Sequence, residues 1–416
     1  MSAHSEHPVA VAENLKLGQS GLRWSNTALV VGGVGLAAAL GLGLLAEAGI
    51  RRFLFSYLIG FAFFLSIALG GLLFVMVQHL TRAGWSVSLR RLAEVLASTM
   101  PVIAVLSLPL IIAVVAHNGV LYPWAGPEAH HDHLIHQKTA FLNPWFWTAR
   151  MVIYFVIWSW LSVYYWRRST EQDASGRAEL TTKMEARSGW AILLTVVTLT
   201  AASFDLLMSL DAHWYSTIFG VYYFAGCAAG IFASMIVVAA ILQRLGYLEH
   251  SLTREHYHDL GKFLFAFVFF WGYIAFSQYM LIRYAHIPEE RGWLVRRGMS
   301  TAGSAWDLRQ WSPVALSLLF GHLLIPFAGL LSRTVKRNRG LLAFWAVWVL
   351  VFHWMDIWWL VMPELDGGFH FGLVDIAATI GVGGIFLAAA LRRAAGVALR
   401  PTQDPRLGEA LAFENL

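Results

Sequence analysis

Long apolar runs, rather than short alternating ones, organise this chain. They lie at about 26–46, 53–80, 92–116, 144–167, 189–211, 217–243, 262–285, 311–333, 340–362 and 371–393. Crossing the hydrocarbon core of a bilayer as a helix takes about 20 mostly apolar residues. A membrane barrel would instead show alternating segments of about ten residues. The pattern therefore predicts an all-α membrane protein of about ten transmembrane helices. A polar N-terminal segment (1–25) precedes a ten-helix domain (26–393), and a short tail (394–416) follows. The first 25 residues lack a short apolar core followed by a cleavage site, so they do not read as a signal peptide.

Composition agrees. Hydrophobic residues make up 58% of the chain and charged residues only 13%, whereas a soluble protein carries about 25% charged. The net charge of +5 does not point to nucleic acid, because the arginines sit in short loops between apolar runs. Counted by loop, 21 Lys and Arg fall on the side of the termini and 7 on the other. The positive-inside bias then places both termini in the cytoplasm. The single cysteine, Cys227, lies inside an apolar run. One thiol makes no intrachain disulfide and holds no iron–sulfur cluster, which takes four thiolates.

Helices five and nine carry a faint echo of one another, SFDLLMSLD and FHWMDIWWLVMPE. Each places an Asp (Asp205, Asp356) about two-thirds of the way outward and another acid (Asp211, Glu364) near its end. This points to two successive four-helix bundles, helices two to five and six to nine, plus two extra helices. Parallel repeats are common in membrane proteins.

Ionisable groups within a membrane are costly, so they mark ion or proton paths or tie helices together. Counted along the helices, Asp205 and Asp356 fall in the outer third, Asp375 near the outer mouth of helix ten, and His322 and His353 close to the midplane. His353 and Asp356 are three apart and share a helix face. The five would form a proton relay graded by depth, and histidine suits it with an ordinary pKa near 6.5. On the inner side Glu94 and His79, with Gln78, Ser98 and Thr99 nearby, are the candidates for proton uptake. No carboxylate bridges the gap between them and the midplane.

Other features have plainer readings. The stretch HHDHLIH, residues 130–136, has metal-type spacing but reads first as a solvated loop. His322 and His353 share a depth that haem would need, yet their flanks lack the small residues that make room for a porphyrin. Trp145, Trp147, Trp214, Tyr215, Trp306 and Trp311 lie near helix ends, where aromatic anchors gather. Arg150 and Arg283 are placed to neutralise Asp205 or Asp211, and Asp205, Arg150, Asp211, Trp214 and Tyr215 form the best outer cluster for a quinone or an ion pair. A secondary transporter is a further alternative; its broken helices should match between halves, and Pro101, Pro109 and Pro326 do not.

Three segments, HQKTAFLNPWFWTAR (136–150), FDLLMSLDAHWYSTIFGVYYFAGC (204–227) and FSQYMLIRYAHIPEE (276–290), resemble signature stretches of the second NrfD-like membrane subunit of bacterial alternative complex III. Arg283 departs from that pattern, standing where an aromatic residue is expected. The resemblance implies a multi-pass subunit of the bacterial inner membrane, in a quinol:cytochrome c or quinol:oxidase oxidoreductase. It implies proton translocation as the role, no catalytic residue and no haem or metal in this chain. Haem c and iron–sulfur clusters would sit in partners: a multihaem cytochrome c, an iron–sulfur protein and a sister NrfD-like subunit, with a terminal oxidase as a further partner. Quinol binding within this chain is the alternative.

Overall fold

The computed structural model describes residues 13–299, 311–366 and 368–415. Ten helices in it are long and apolar enough to cross a membrane: α1 Gly18–Leu45, α2 Ile50–Leu80, α3 Gly84–Val115, α4 Pro144–Ser175, α5 Glu179–Leu210, α6 Phe219–Arg244, α7 Arg254–Ala285, α8 Ser312–Leu330, α9 Arg339–Glu364 and α10 Leu373–Ala395. Among the described residues there is no strand. The chain is a multi-pass, all-α membrane protein.

Two groups of four helices, α2–α5 and α6–α9, meet along α2 and α6. These two are apolar all round, which is the mark of a buried helix, and each is buried over most of its length. The extra helices, α1 and α10, pack on each other and on α2. Glycine permits that approach. A Cβ on Gly32 would stand 2.7 Å from the backbone nitrogen of Ile385, and one on Gly35 2.8 Å from that of Gly381. Small residues let membrane helices close up where the hydrophobic effect gives no drive.

Several helix ends differ from the apolar runs. α1 begins at Gly18, inside the segment read as the polar N-terminal segment; α4, α5 and α7 extend past the apolar core through charged residues. Arg51 and Arg52, counted as loop charges, lie in the first turn of α2. α3 is broken into Val87–Ala97, Met100–Leu106 and Leu108–Val115, with Pro101 and Pro109 each opening a new segment. α8 is interrupted by a π-helical turn over Leu319–Leu324, just ahead of Pro326. Of the expected aromatic anchors, Trp145 and Tyr215 are exposed, but Trp147, Trp214 and Trp311 are buried and pack in the core. Trp306 lies outside the described residues.

Residues 13–17 and 399–415, the two ends of the described chain, lie on one face, which we call the terminal face. The tail crosses it as a strap. Leu399 donates its N–H to Leu15 O at 2.8 Å, Asp404 pairs with Arg90 at 2.5 Å, Arg406 with Glu185 at 2.9 Å, and Lys262 donates to Asn415 at 3.1 Å. The loops on the far face are clamped by the short helix Pro288–Arg296. Arg296 bridges Asp211 (3.2 Å) and Glu364, and Arg297 reaches Glu364 at 3.0 Å.

Candidate functional site

The structure divides the five expected relay groups into three places. Asp356, His322 and His353 come together in the second bundle. Asp205 and Asp375 are each held in a separate salt bridge.

Asp356 is buried on α9 and accepts two hydrogen bonds, one from the Tyr222 hydroxyl of α6 and one from Trp271 Nε1 of α7 at 3.0 Å. Both donors are neutral. No cation lies within ion-pair distance of it among the described residues. The Trp271 ring lies against His322, with centroids 3.9 Å apart, and the His322 ring is 6.3 Å from that of His353. His353 then meets Ser66 of α2, Nε2 to Oγ 2.8 Å. The Ser66 hydroxyl donates to Phe63 O at 2.7 Å, so it accepts from His353. That assigns the imidazole proton to Nε2 and leaves Nδ1 as an acceptor.

Local sequence explains the fit. Gly226 and Gly230, one turn apart on α6, face the His353 ring; a Cβ on Gly226 would stand 2.6 Å from its Cε1. His322 sits in the π-helical turn of α8, a distortion common at functional sites because it redirects a side chain out of register. Both ring nitrogens of His322 and Nδ1 of His353 are buried with no hydrogen-bond partner in the protein. Buried polar atoms are almost always bonded to protein or ordered water, so these three are where water would bind.

Beside this line runs a cleft of about 300 Å³ between α7 and α8. Tyr222 and Trp271 line it, together with Gln278, whose buried Oε1 has no partner; Phe276 and Leu319 in its wall are exposed on the outer surface of the bundle.

Asp205, on α5, is a buried carboxylate of another kind. Arg150 grips it twice, Nε to Oδ2 at 2.9 Å and a terminal nitrogen to Oδ1 at 2.6 Å, and Tyr154 donates to Oδ2 at 3.0 Å. Trp147 Nε1 bonds the Asp205 carbonyl at 3.0 Å. Arg150 and Asp205 thus form the ion pair expected of the outer cluster, while its other members have separate partners. Trp214 stacks on Trp293 at 4.4 Å, Asp211 takes Arg296, and Tyr215 lies exposed with Lys138 above its ring. Arg283 bonds the Tyr279 hydroxyl at 2.8 Å.

Asp375 is matched by Arg52, with contacts of 2.8 and 2.5 Å, by Ser56 at 2.8 Å and by the Gly372 N–H at 3.0 Å. Such a fully paired carboxylate ties α10 to α2.

On the terminal side, Glu94 lies between Arg90 (3.2 Å) and Arg91 (3.3 Å), which also bind Asp404 and Asp173. His79 stacks on Tyr165 at 5.7 Å, with a buried Nε2 that lacks a partner. Inward of them lies a mostly apolar cavity of about 330 Å³, whose lining runs from Gln78 to Gly70. Among the described residues no chain of protein hydrogen bonds joins Glu94 or His79 to Ser66.

His130, His131, His133 and His136 of the histidine-rich stretch are all exposed. Asp132 caps the helix His133–Gln137 and bonds His213 at 2.6 Å. The backbone N–H of Ile135 first, and His213 second, hold its carboxyl below the usual range. Among the described residues no group of three potential ligands could hold a metal.

Sequence reasoning missed Tyr222, Trp271, Ser66 and Arg52. One of them carried a signal. Tryptophans of membrane helices favour the interfaces, whereas Trp271 falls mid-way along the 32 residues of α7. In comparisons with known proteins, no family model and no curated protein matches this chain.

Proposed function

We propose that this chain is a proton-handling membrane subunit of a quinol-oxidising electron-transfer complex of the alternative complex III type. On this reading it sits in the bacterial cytoplasmic membrane with both termini inside, as the distribution of Lys and Arg favours. The resemblance of segments 136–150, 204–227 and 276–290 suggests the complex. Haem c and iron–sulfur clusters then belong to partner subunits, since the one thiol here is buried in α6.

Asp356 carries the reading. A buried charge without a counter-charge costs several kcal/mol, so this carboxyl exchanges protons more readily than it holds a bare charge. Its Tyr222 and Trp271 donors fix its orientation. The His322 and His353 nitrogens next in line can accept a proton from water and pass it toward Ser66. Redox events in a partner would drive the exchange by moving charge near the far face, where Arg296 and Arg297 join the ends of both bundles. Asp205 and Asp375, each neutralised by an arginine, serve as fixed structural charges.

The test is Asp356→Asn in the complex purified from native membranes and reconstituted into vesicles. Quinol oxidation should persist while protons moved per electron fall by half or more; an unchanged ratio overturns the reading. A second reading, quinol binding within this chain, is favoured by the cleft between α7 and α8, with its aromatic walls and the unpartnered Gln278 Oε1. Loss of quinol turnover in Asp356→Asn, with all subunits retained, would favour that second reading, because Tyr222 and Trp271 line the cleft and hold Asp356 alike.

A further inference from the structure

The terminal face carries a polar recess of about 810 Å³ where α6 ends and α7 and α9 begin. Its lining includes Arg254, Arg337 and Arg339 against the single lining acid Glu249, and with Glu255 paired to Arg337 one positive charge is left in excess. Arg337 is engaged by Glu255. Arg254 and Arg339 have no carboxylate within ion-pair distance among the described residues, and both are exposed. The helix starts add to the field. α7 and α9 both begin at the recess, with Thr253 and Asn338 as their caps, and helix N-termini favour anions.

The floor is already satisfied and therefore rigid. Gln243 donates to Leu248 O at 3.0 Å and Leu252 O at 2.8 Å, and accepts from Tyr257 at 2.9 Å and from Arg339 at 3.4 Å. What the recess offers a ligand is positive charge at its rim. The helices that frame it are apolar and uncovered: Ile241 is 51% exposed and Leu245 49% at the end of α6, and Leu341 is 47% and Phe344 54% in the first turns of α9. Charge at the level of the helix ends, with bare apolar surface on the same helices, is the pattern of a lipid with a negative head.

We propose that this recess binds the phosphate head of an anionic phospholipid, held by Arg254 and Arg339, with acyl chains along α6 and α9. The shared chemistry is a phosphate monoanion, and the apolar flanks favour the lipid over free phosphate. Because the recess lies apart from the Asp356 line, this inference stands whether or not the chain moves protons.

The test uses the full complex in detergent, stripped of lipid and titrated with phosphatidylglycerol, with phosphatidylcholine as the neutral comparison and native mass spectrometry as the readout. The double variant Arg254→Gln/Arg339→Gln should bind phosphatidylglycerol about thirtyfold more weakly, from about 1 kcal/mol per arginine at an anionic head. Arg333→Gln, at a residue that does not line the recess, is the control and should bind as the natural protein does. Equal retention in the double variant, or equal binding of phosphatidylcholine, overturns the proposal. Complete displacement of the lipid by millimolar inorganic phosphate overturns the lipid assignment and leaves a phosphate site.

Discussion

Asp205 and Asp356 occupy corresponding places near the far ends of α5 and α9, both are buried, and both accept a tyrosine hydroxyl. Their remaining partners differ. Arg150 completes the first site with a two-point salt bridge, while Trp271 completes the second with a neutral N–H at 3.0 Å. The first site is a closed ion pair: its charge is balanced, and either partner alone would be stranded. The second balances only when the carboxyl is neutral or when a proton stands close by. One chain thus presents the same side chain twice, once against a charged partner and once against neutral ones, and on the proposed reading the second is the exchangeable carboxyl. Depth along a helix therefore does not separate the two acids, whereas the charge of their partners does.

The sharpest way to break this contrast is Arg150→Leu. It leaves Asp205 buried with Tyr154 as its one remaining side-chain donor, and losing one partner of a buried ion pair costs about 3–5 kcal/mol. Thermal unfolding of the detergent-purified complex should show the drop, and Asp205→Asn added to Arg150→Leu should recover most of it. Asp356→Asn, with no ion pair to break, should leave the unfolding midpoint nearly unchanged. If Arg150→Leu is as mild as Asp356→Asn, Asp205 is not held as a charge and the two sites are alike.

The fold was legible because ten apolar runs leave a helical membrane protein no other arrangement. Their ends were not, since α4, α5 and α7 continue past their apolar runs on helix-forming charged residues that a hydropathy criterion discards. At the site, His353 and Asp356 were visible as a pair three apart on one helix. Their meeting with His322 was not, because it depends on packing between α8 and α9 and on a π-helical turn that sequence does not announce. The Arg52–Asp375 bridge spans 323 positions, and an arginine at the start of α2 reads naturally as a loop charge. Depth counting therefore gathered five groups into one ladder, whereas partner chemistry, set by distant residues, separates them.

Gly226→Ala tests the packing on which the Asp356 side depends. A Cβ there would lie 2.6 Å from His353 Cε1, so the imidazole must move, which disturbs its bond to Ser66. Inserting a methyl group into a packed core costs about 1–3 kcal/mol. Protons moved per electron should fall with Asp205 and its salt bridge undisturbed. A crystal or cryo-EM structure of the variant with the His353–Ser66 bond intact, together with an unchanged ratio, would remove His353 from the line.

The smallest effect gives the finest discrimination, because one substitution can be made at both sites. Tyr154→Phe and Tyr222→Phe each delete a single hydroxyl that donates to a buried carboxylate, a bond to a group that can carry charge and therefore worth about 1.5–3 kcal/mol at most. At Asp205 the guanidinium still contacts both oxygens, so Tyr154→Phe should cost little stability and leave proton stoichiometry alone. At Asp356 the hydroxyl is one of two donors, and its removal leaves Oδ1 without any. Tyr222→Phe should therefore lower protons per electron while its unfolding midpoint stays within a few degrees of that of Tyr154→Phe. Equal stoichiometry in the two variants would mean that the carboxylate partners do not set which acid exchanges its proton, and the distinction between a fixed charge and a mobile one would have to rest on water access instead.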